Sequence, residues 1–180
     1  MLKLLQNTIN LQNHDIRAVD FFPYSGNYKT VNKFVWPARV YYEDTDSGGV
    51  VYHSKYLNYM ERARTEWLRS KGFELDQLHK HQGIMFVVRS VQIEFNHPAR
   101  FNQLLDISLC LLNTGKASLV LEQNIKAVSG QCAKNKAIDQ TNRNPDKLLV
   151  TAQVKIACVN TKSFKPTSIP EAILKEIRSV

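Results

Sequence analysis

The run from Ser54 to Lys71 constrains the fold more than any other part of the chain. Tyr56, Leu57, Met60, Ala63, Trp67 and Leu68 fall there at three- and four-residue spacings, which draws one apolar stripe down a helix of about five turns. Ser54 is placed as its N-cap and Gly72 as the glycine that ends it. Arg62 and Glu66, four apart, add a modest surface pair. A helix with one apolar face must bury it, and the residues that follow supply strands. Phe86–Phe95 alternates well from Val88 onward, and Leu104–Leu112 and Ala117–Val128 flank the turn residues Asn113 to Lys116. Leu148–Val159 reads as the last strand. One long helix followed by four antiparallel strands makes an α+β chain. Wrapping the sheet around the helix is the simplest way to bury the stripe. Such a sheet has open edges, and edges find partners; a dimer with a continuous sheet is expected.

The flanks read differently. Residues 1–36 lack a sustained period and are expected to be an N-terminal extension to a domain spanning 37–165. The polar run 129–146 is expected to be a loop insertion, and 166–180 a C-terminal tail containing Pro166 and Pro170. No apolar stretch approaches the roughly 20 residues of a membrane-spanning helix. The N-terminus also lacks the apolar centre and cleavage site of a secretory signal, so a cytoplasmic protein is expected. Cys110, Cys132 and Cys158 are odd in number and far apart. They support neither a disulfide framework nor a zinc site. The net charge of +8 invites a nucleic-acid reading, but residues 38–128 carry only +1. The excess lies in the two ends and the polar run, which fits a solubilising surface and no nucleic-acid partner.

Chemistry is concentrated between Arg39 and Leu57. Arg39–Glu43 reads as a short strand, and Asp44-Thr-Asp-Ser-Gly-Gly as a turn leading into the helix. Helix starts present unpaired N–H groups and a positive dipole end, which suit an oxyanion or a catalytic carboxylate. Gly48 and Gly49 let the backbone turn tightly and approach a ligand. Each residue also has a plainer reading. Asp44 and Asp46 can bind turn amides, the glycines can simply make the turn, and His53 can be an ordinary histidine at a helix start.

The combination is more specific than its parts. Tyr41-Tyr-Glu-Asp-Thr-Asp-Ser-Gly-Gly-Val-Val-Tyr-His53, continuing into Tyr56 and Glu61-Arg-Ala-Arg64, resembles the signature of the bacterial acyl-CoA thioesterases associated with the Tol–Pal gene cluster. These are related to the hydroxybenzoyl-CoA thioesterases of the hotdog superfamily. The resemblance continues in Phe86–Arg89, in Pro98-Ala99-Arg100 and in the last strand. It implies a hotdog fold, an antiparallel sheet wrapped around one long central helix. It also implies hydrolysis of acyl thioesters, with Asp46 as nucleophile or general base. Tyr42 and His53 match active-site positions that hold the substrate or the carboxylate. Gly48, Gly49 and Tyr52 fall among the substrate-binding positions. Backbone N–H groups at the helix start, or near Met85 across a dimer interface, would polarise the carbonyl, and Arg89 is a candidate for the nucleotide phosphates. The implied partners are acyl-coenzyme A, with an acyl carrier protein as the alternative, and further copies of the chain in a homodimer or homotetramer. No metal or separate cofactor is implied, since coenzyme A is part of the substrate. The longer N-terminal extension and the 129–146 run depart from the family pattern.

Three rival readings fit these residues less well. Asp44-x-Asp46-x-Gly48-Gly49 begins like a calcium loop, but its twelfth position is Lys55 where a bidentate Glu belongs. A phosphatase of the aspartyl-phosphate type needs alternating strands and helices and a later acidic pair. A non-catalytic scaffold for acyl thioesters or acyl carrier protein has no need of a carboxylate beside the thioester.

Overall fold

The computed structural model describes residues 33–128 and 147–178. Most of the expected extension and the whole of the 129–146 run lie outside them. The described elements are β1 (Phe34–Arg39), α1 (His53–Ser70), a single turn α2 (Leu75–Gln77) continued by one π-helical turn (Leu78–Gln82), β2 (Ile84–Phe95), β3 (Leu104–Thr114), β4 (Ser118–Ala127), β5 (Leu148–Asn160) and α3 (Glu171–Arg178). The five strands form one sheet in the order β1-β3-β4-β5-β2, and every neighbouring pair is antiparallel. Period-two burial shows in β3 and β4. Leu105, Ile107 and Leu109 on β3, and Leu119, Leu121 and Ile125 on β4, all face the core. The α1 stripe of Tyr56, Tyr59, Met60, Ala63, Trp67 and Leu68 packs into the same core. This is the expected hotdog arrangement.

A fully buried polar residue joins that core. Gln123 on β4 is fully buried, accepts a hydrogen bond from Arg64 at 2.8 Å and donates to the Met60 carbonyl at 3.0 Å. It therefore ties the centre of the sheet to the middle of α1 with its polar atoms satisfied.

Several expectations change. The first strand is Phe34–Arg39, earlier than Arg39–Glu43, because Tyr42–Asp44 closes into a 3-10 turn. The sheet thus begins inside the segment expected as extension. Ser54 lies within the first turn of α1, and the N-cap is Tyr52. Gly72 does end the helix, at a φ of +86°. The helix surface pairs are Arg69 with Glu66 and Arg69 with Glu74, in place of Arg62 with Glu66. Leu57 faces outward and Tyr59 inward. The segment expected as a tail carries α3, whose Ile173, Leu174 and Ile177 join the core. Pro170 starts that helix, its carbonyl accepting from the Ile173 and Leu174 N–H groups.

No helix among the described residues is long and apolar enough to cross a membrane.

Candidate active site

The connection from β1 to α1 is pinned on both sides. Val40 exchanges backbone hydrogen bonds with the β2–β3 connection, donating to Gln103 and accepting from Asn102, both at 3.0 Å. Further along, the Val51 N–H donates to Ala99 at 2.9 Å, and Val50 bridges to Arg100. Between these anchors the chain folds back on itself. Thr45 bridges to Val51, the Asp46 N–H donates to Val50 at 2.9 Å, and the Gly49 N–H donates to Asp46 at 2.9 Å.

That turn sets the glycines. Gly49 has φ +70°, in the left-handed region where a side chain is strained. Gly48 donates its N–H to Asp46 Oδ1 at 2.8 Å. A Cβ at position 48 would lie 3.1 Å from that same oxygen. The glycine thus leaves room for the carboxylate, while its N–H orients it. Asp46 remains exposed to solvent on the turn.

The helix start lies directly beyond. The Tyr52 N–H donates to the Asp44 carbonyl at 2.9 Å, and the Lys55 N–H to Tyr52 at 2.9 Å. No side chain caps the helix. Among the described residues, the N–H groups of His53 and Ser54 have no hydrogen-bond acceptor. They are the open, positive end of an 18-residue helix.

Aromatic groups surround this end. Tyr42 is 76% exposed and stacks on Phe101, with ring centroids 3.8 Å apart. Tyr52 and His53 are both exposed, with centroids 4.3 Å apart. Tyr56 is buried. Its hydroxyl accepts the Ala99 N–H at 2.8 Å, and its ring meets the edge of Phe95 at 5.7 Å. Burial pushes the Tyr56 phenol up; the Ala99 bond opposes this, and the charge of Asp46 adds to it. Tyr59, one turn on, is pushed up further, first by burial and then by the neighbouring Asp44 carboxylate. Its hydroxyl is buried with no partner of hydrogen-bonding geometry.

Asp46, Gly48, Gly49, Tyr52 and His53 thus lie along one turn and the helix start, with Tyr42 just ahead of them. Met85 and Arg89 are not brought to this turn by the same chain. They sit on β2, ten and six positions before Phe95, or about 30 and 20 Å along a strand. Arg89 is exposed and is the extra residue of a β-bulge between Val88 and Ser90. Sequence reasoning missed Tyr56, Tyr59 and Phe101 as neighbours of the site. It also missed that Asp44 is only 6% exposed. Pro98-Ala99-Arg100 was the one sequence signal pointing to the second anchor.

The chain matches known proteins in sequence and in fold. Residues 40–177 match the family model of the thioesterase-like superfamily. The acyl-CoA thioester hydrolase YbgC of Escherichia coli O6:H1 is 38% identical over 145 residues, 81% of this chain and 96% of that protein. The acyl-CoA thioesterase YbgC of Haemophilus influenzae is 37% identical over 79% of this chain and 92% of its own length. The crystal structure of a probable thioesterase from Bartonella henselae superposes with a TM-score of 0.64 at 36% identity, covering 77% of this chain and 100% of that one. The chain belongs to the thioesterase-like superfamily.

Proposed function

We propose that the protein hydrolyses acyl-coenzyme A thioesters to the free acid and coenzyme A, with Asp46 as the residue that carries the reaction. The observation that carries this reading is the pairing of an exposed, oriented carboxylate with an open helix start on one turn. A thioester carbonyl placed there receives hydrogen bonds from the His53 and Ser54 N–H groups. These donors strengthen as negative charge develops on the oxygen, and one such donor contributes about a hundredfold or more. Asp46 then acts in one of two ways. It attacks the carbonyl carbon, expelling the thiolate and leaving an anhydride for water to cleave, or it takes a proton from water that attacks directly. Tyr42, Tyr52 and His53 border the approach and hold the substrate, and Gly48 aims the carboxylate. The identity with acyl-CoA thioesterases over most of both chains supports the substrate class.

We extend this reading to a shared site. β2 is an open sheet edge, and residues 88–92 are exposed on both of its faces. Two copies pairing these edges antiparallel about Ser90 set position 85 of one chain opposite position 95 of the other. That brings Met85 of a second copy to Phe95, which already touches Tyr56. Such pairing supplies from a neighbour what one chain leaves about 30 Å away.

The test is a hydrolysis panel of short, long and aromatic acyl-CoAs, alongside acyl carrier protein thioesters, with released thiol as readout. Asp46→Asn keeps the shape and removes the charge. Turnover is expected to fall about a thousandfold or more, with little change in melting temperature. An Asp46→Asn variant with near-normal turnover overturns the assignment. A wild type that binds acyl thioesters and cleaves none leaves a binding scaffold instead.

A further inference from the structure

Asp44 does more than close a turn. Its carboxylate is buried, accepts the Tyr41 N–H at 2.9 Å through Oδ2, and meets Lys55 Nζ at 3.6 Å through Oδ1. Its backbone carbonyl accepts the Tyr52 N–H at 2.9 Å. One residue therefore touches the chain ahead of the Asp46 turn, the residue that caps α1, and the first turn of α1 itself. A buried carboxylate is costly unless it is paired and hydrogen-bonded. Here each of its oxygens has a partner, and Lys55 is the only cation among the described residues within 4.0 Å of it.

We propose that Asp44 and Lys55 form a positioning clamp that fixes the distance between the Asp46 carboxylate and the open N–H groups of His53 and Ser54. The clamp acts through geometry and touches no substrate. Asp46 and the helix start are joined by six residues, Ser47 to Tyr52, two of them glycine. Backbone bonds from Asp46 to Val50 and from Tyr52 to Asp44 hold that segment, and the ion pair adds a side-chain brace across it: Asp44 stands just before it, and Lys55 lies on the rigid helix just after it. Attack and oxyanion stabilisation must act on one carbonyl group at once. A displacement of about 1 Å between the two is enough to lower turnover about a hundredfold. This inference rests on the assignment of Asp46 and the helix start proposed above.

The test compares Asp44→Asn, Lys55→Met, Lys55→Arg and the double variant Asp44→Asn/Lys55→Met in the full chain, measuring kcat, KM and melting temperature. Asn keeps an acceptor for the Tyr41 N–H, and Lys55 is partly exposed, so the Lys55 variants remain informative if Asp44→Asn fails to fold. The expected result is a kcat loss of about ten- to hundredfold in both single variants, with KM within twofold. Lys55→Arg is expected to recover most of kcat, and the double variant to be no worse than the worse single. Four results overturn the clamp: unchanged kcat with only a lower melting temperature, a raised KM at constant kcat, single losses that multiply in the double variant, or no recovery with Arg. Asp46→Asn, run in parallel, separates the two readings. Full activity there sinks the catalytic assignment, whereas an inactive Asp46→Asn beside a normal Lys55→Met sinks only the clamp.

Discussion

At the scale of single residues, two neighbouring tyrosines of α1 behave differently although both are buried. Tyr56 uses its hydroxyl to hold Ala99, whereas the Tyr59 hydroxyl is buried without a partner. A buried polar atom with no partner gives up its bonds to water for nothing, so Tyr59→Phe is expected to fold with equal or greater stability, read from urea unfolding at neutral pH. A loss above about 1 kcal/mol would show a working bond instead. The same residues govern alkaline behaviour. Both phenols are raised in the folded protein, so the folded state holds their protons more tightly than the unfolded chain. Their contribution is complete below the unfolded value of about 10 and is lost as pH rises beyond it. The melting temperature is expected to fall above about pH 10, and less steeply in Tyr59→Phe; identical pH profiles for the two proteins would refute this. Much of the site was legible at this scale, because Asp46, the glycines and His53 are contiguous in sequence. Asp44 was read as a turn residue, since its burial depends on α1 folding back over it, and no local pattern encodes that. Tyr59 was legible but missed: it lies three residues after Tyr56 and four before Ala63, on the same helix face, whereas Leu57 falls at the margin of that face.

Among the elements, α1 and the long strands declared themselves because each is long enough to show its pattern, 18 residues for α1, 12 for β2 and 10 for β4. The short elements did not. α3 has eight residues, too few to be stable alone, and the prolines ahead of it, Pro166 and Pro170, read as loop. Its apolar residues 173, 174 and 177 do follow a helical spacing, which is a signal a closer reading could use. Tertiary packing is what makes it a helix: Ile173 is fully buried, and Arg178 reaches Thr114 at the β3–β4 turn at 2.9 Å. Ile173→Ala is therefore expected to cost about 2 to 5 kcal/mol, like other large-to-small core changes, measured by equilibrium denaturation. A cost well below 1 kcal/mol would return the segment to the status of a tail.

For the molecule as a whole, the proposed assembly rests on the β2 edge. Val88 and Val91 are exposed there, as is Leu57 on the outer face of α1, and an exposed apolar edge strand invites a second sheet. A dimer, or a dimer of dimers, is expected at micromolar concentration by light scattering. Val88→Lys/Val91→Lys should yield monomers with strongly reduced turnover and a folded core. A monomeric wild type, or a fully active monomeric variant, contradicts the shared site. The strand order carries a separate consequence for how the chain is made. β2 ends at Phe95, yet its partner among the described residues, β5, begins at Leu148 and must insert between β4 and β2. A ribosome therefore releases β2 well before its partner β5, and that side of the sheet closes only after β5 has emerged. Nascent chains stalled before residue 148 should be the species that chaperones hold and proteases find.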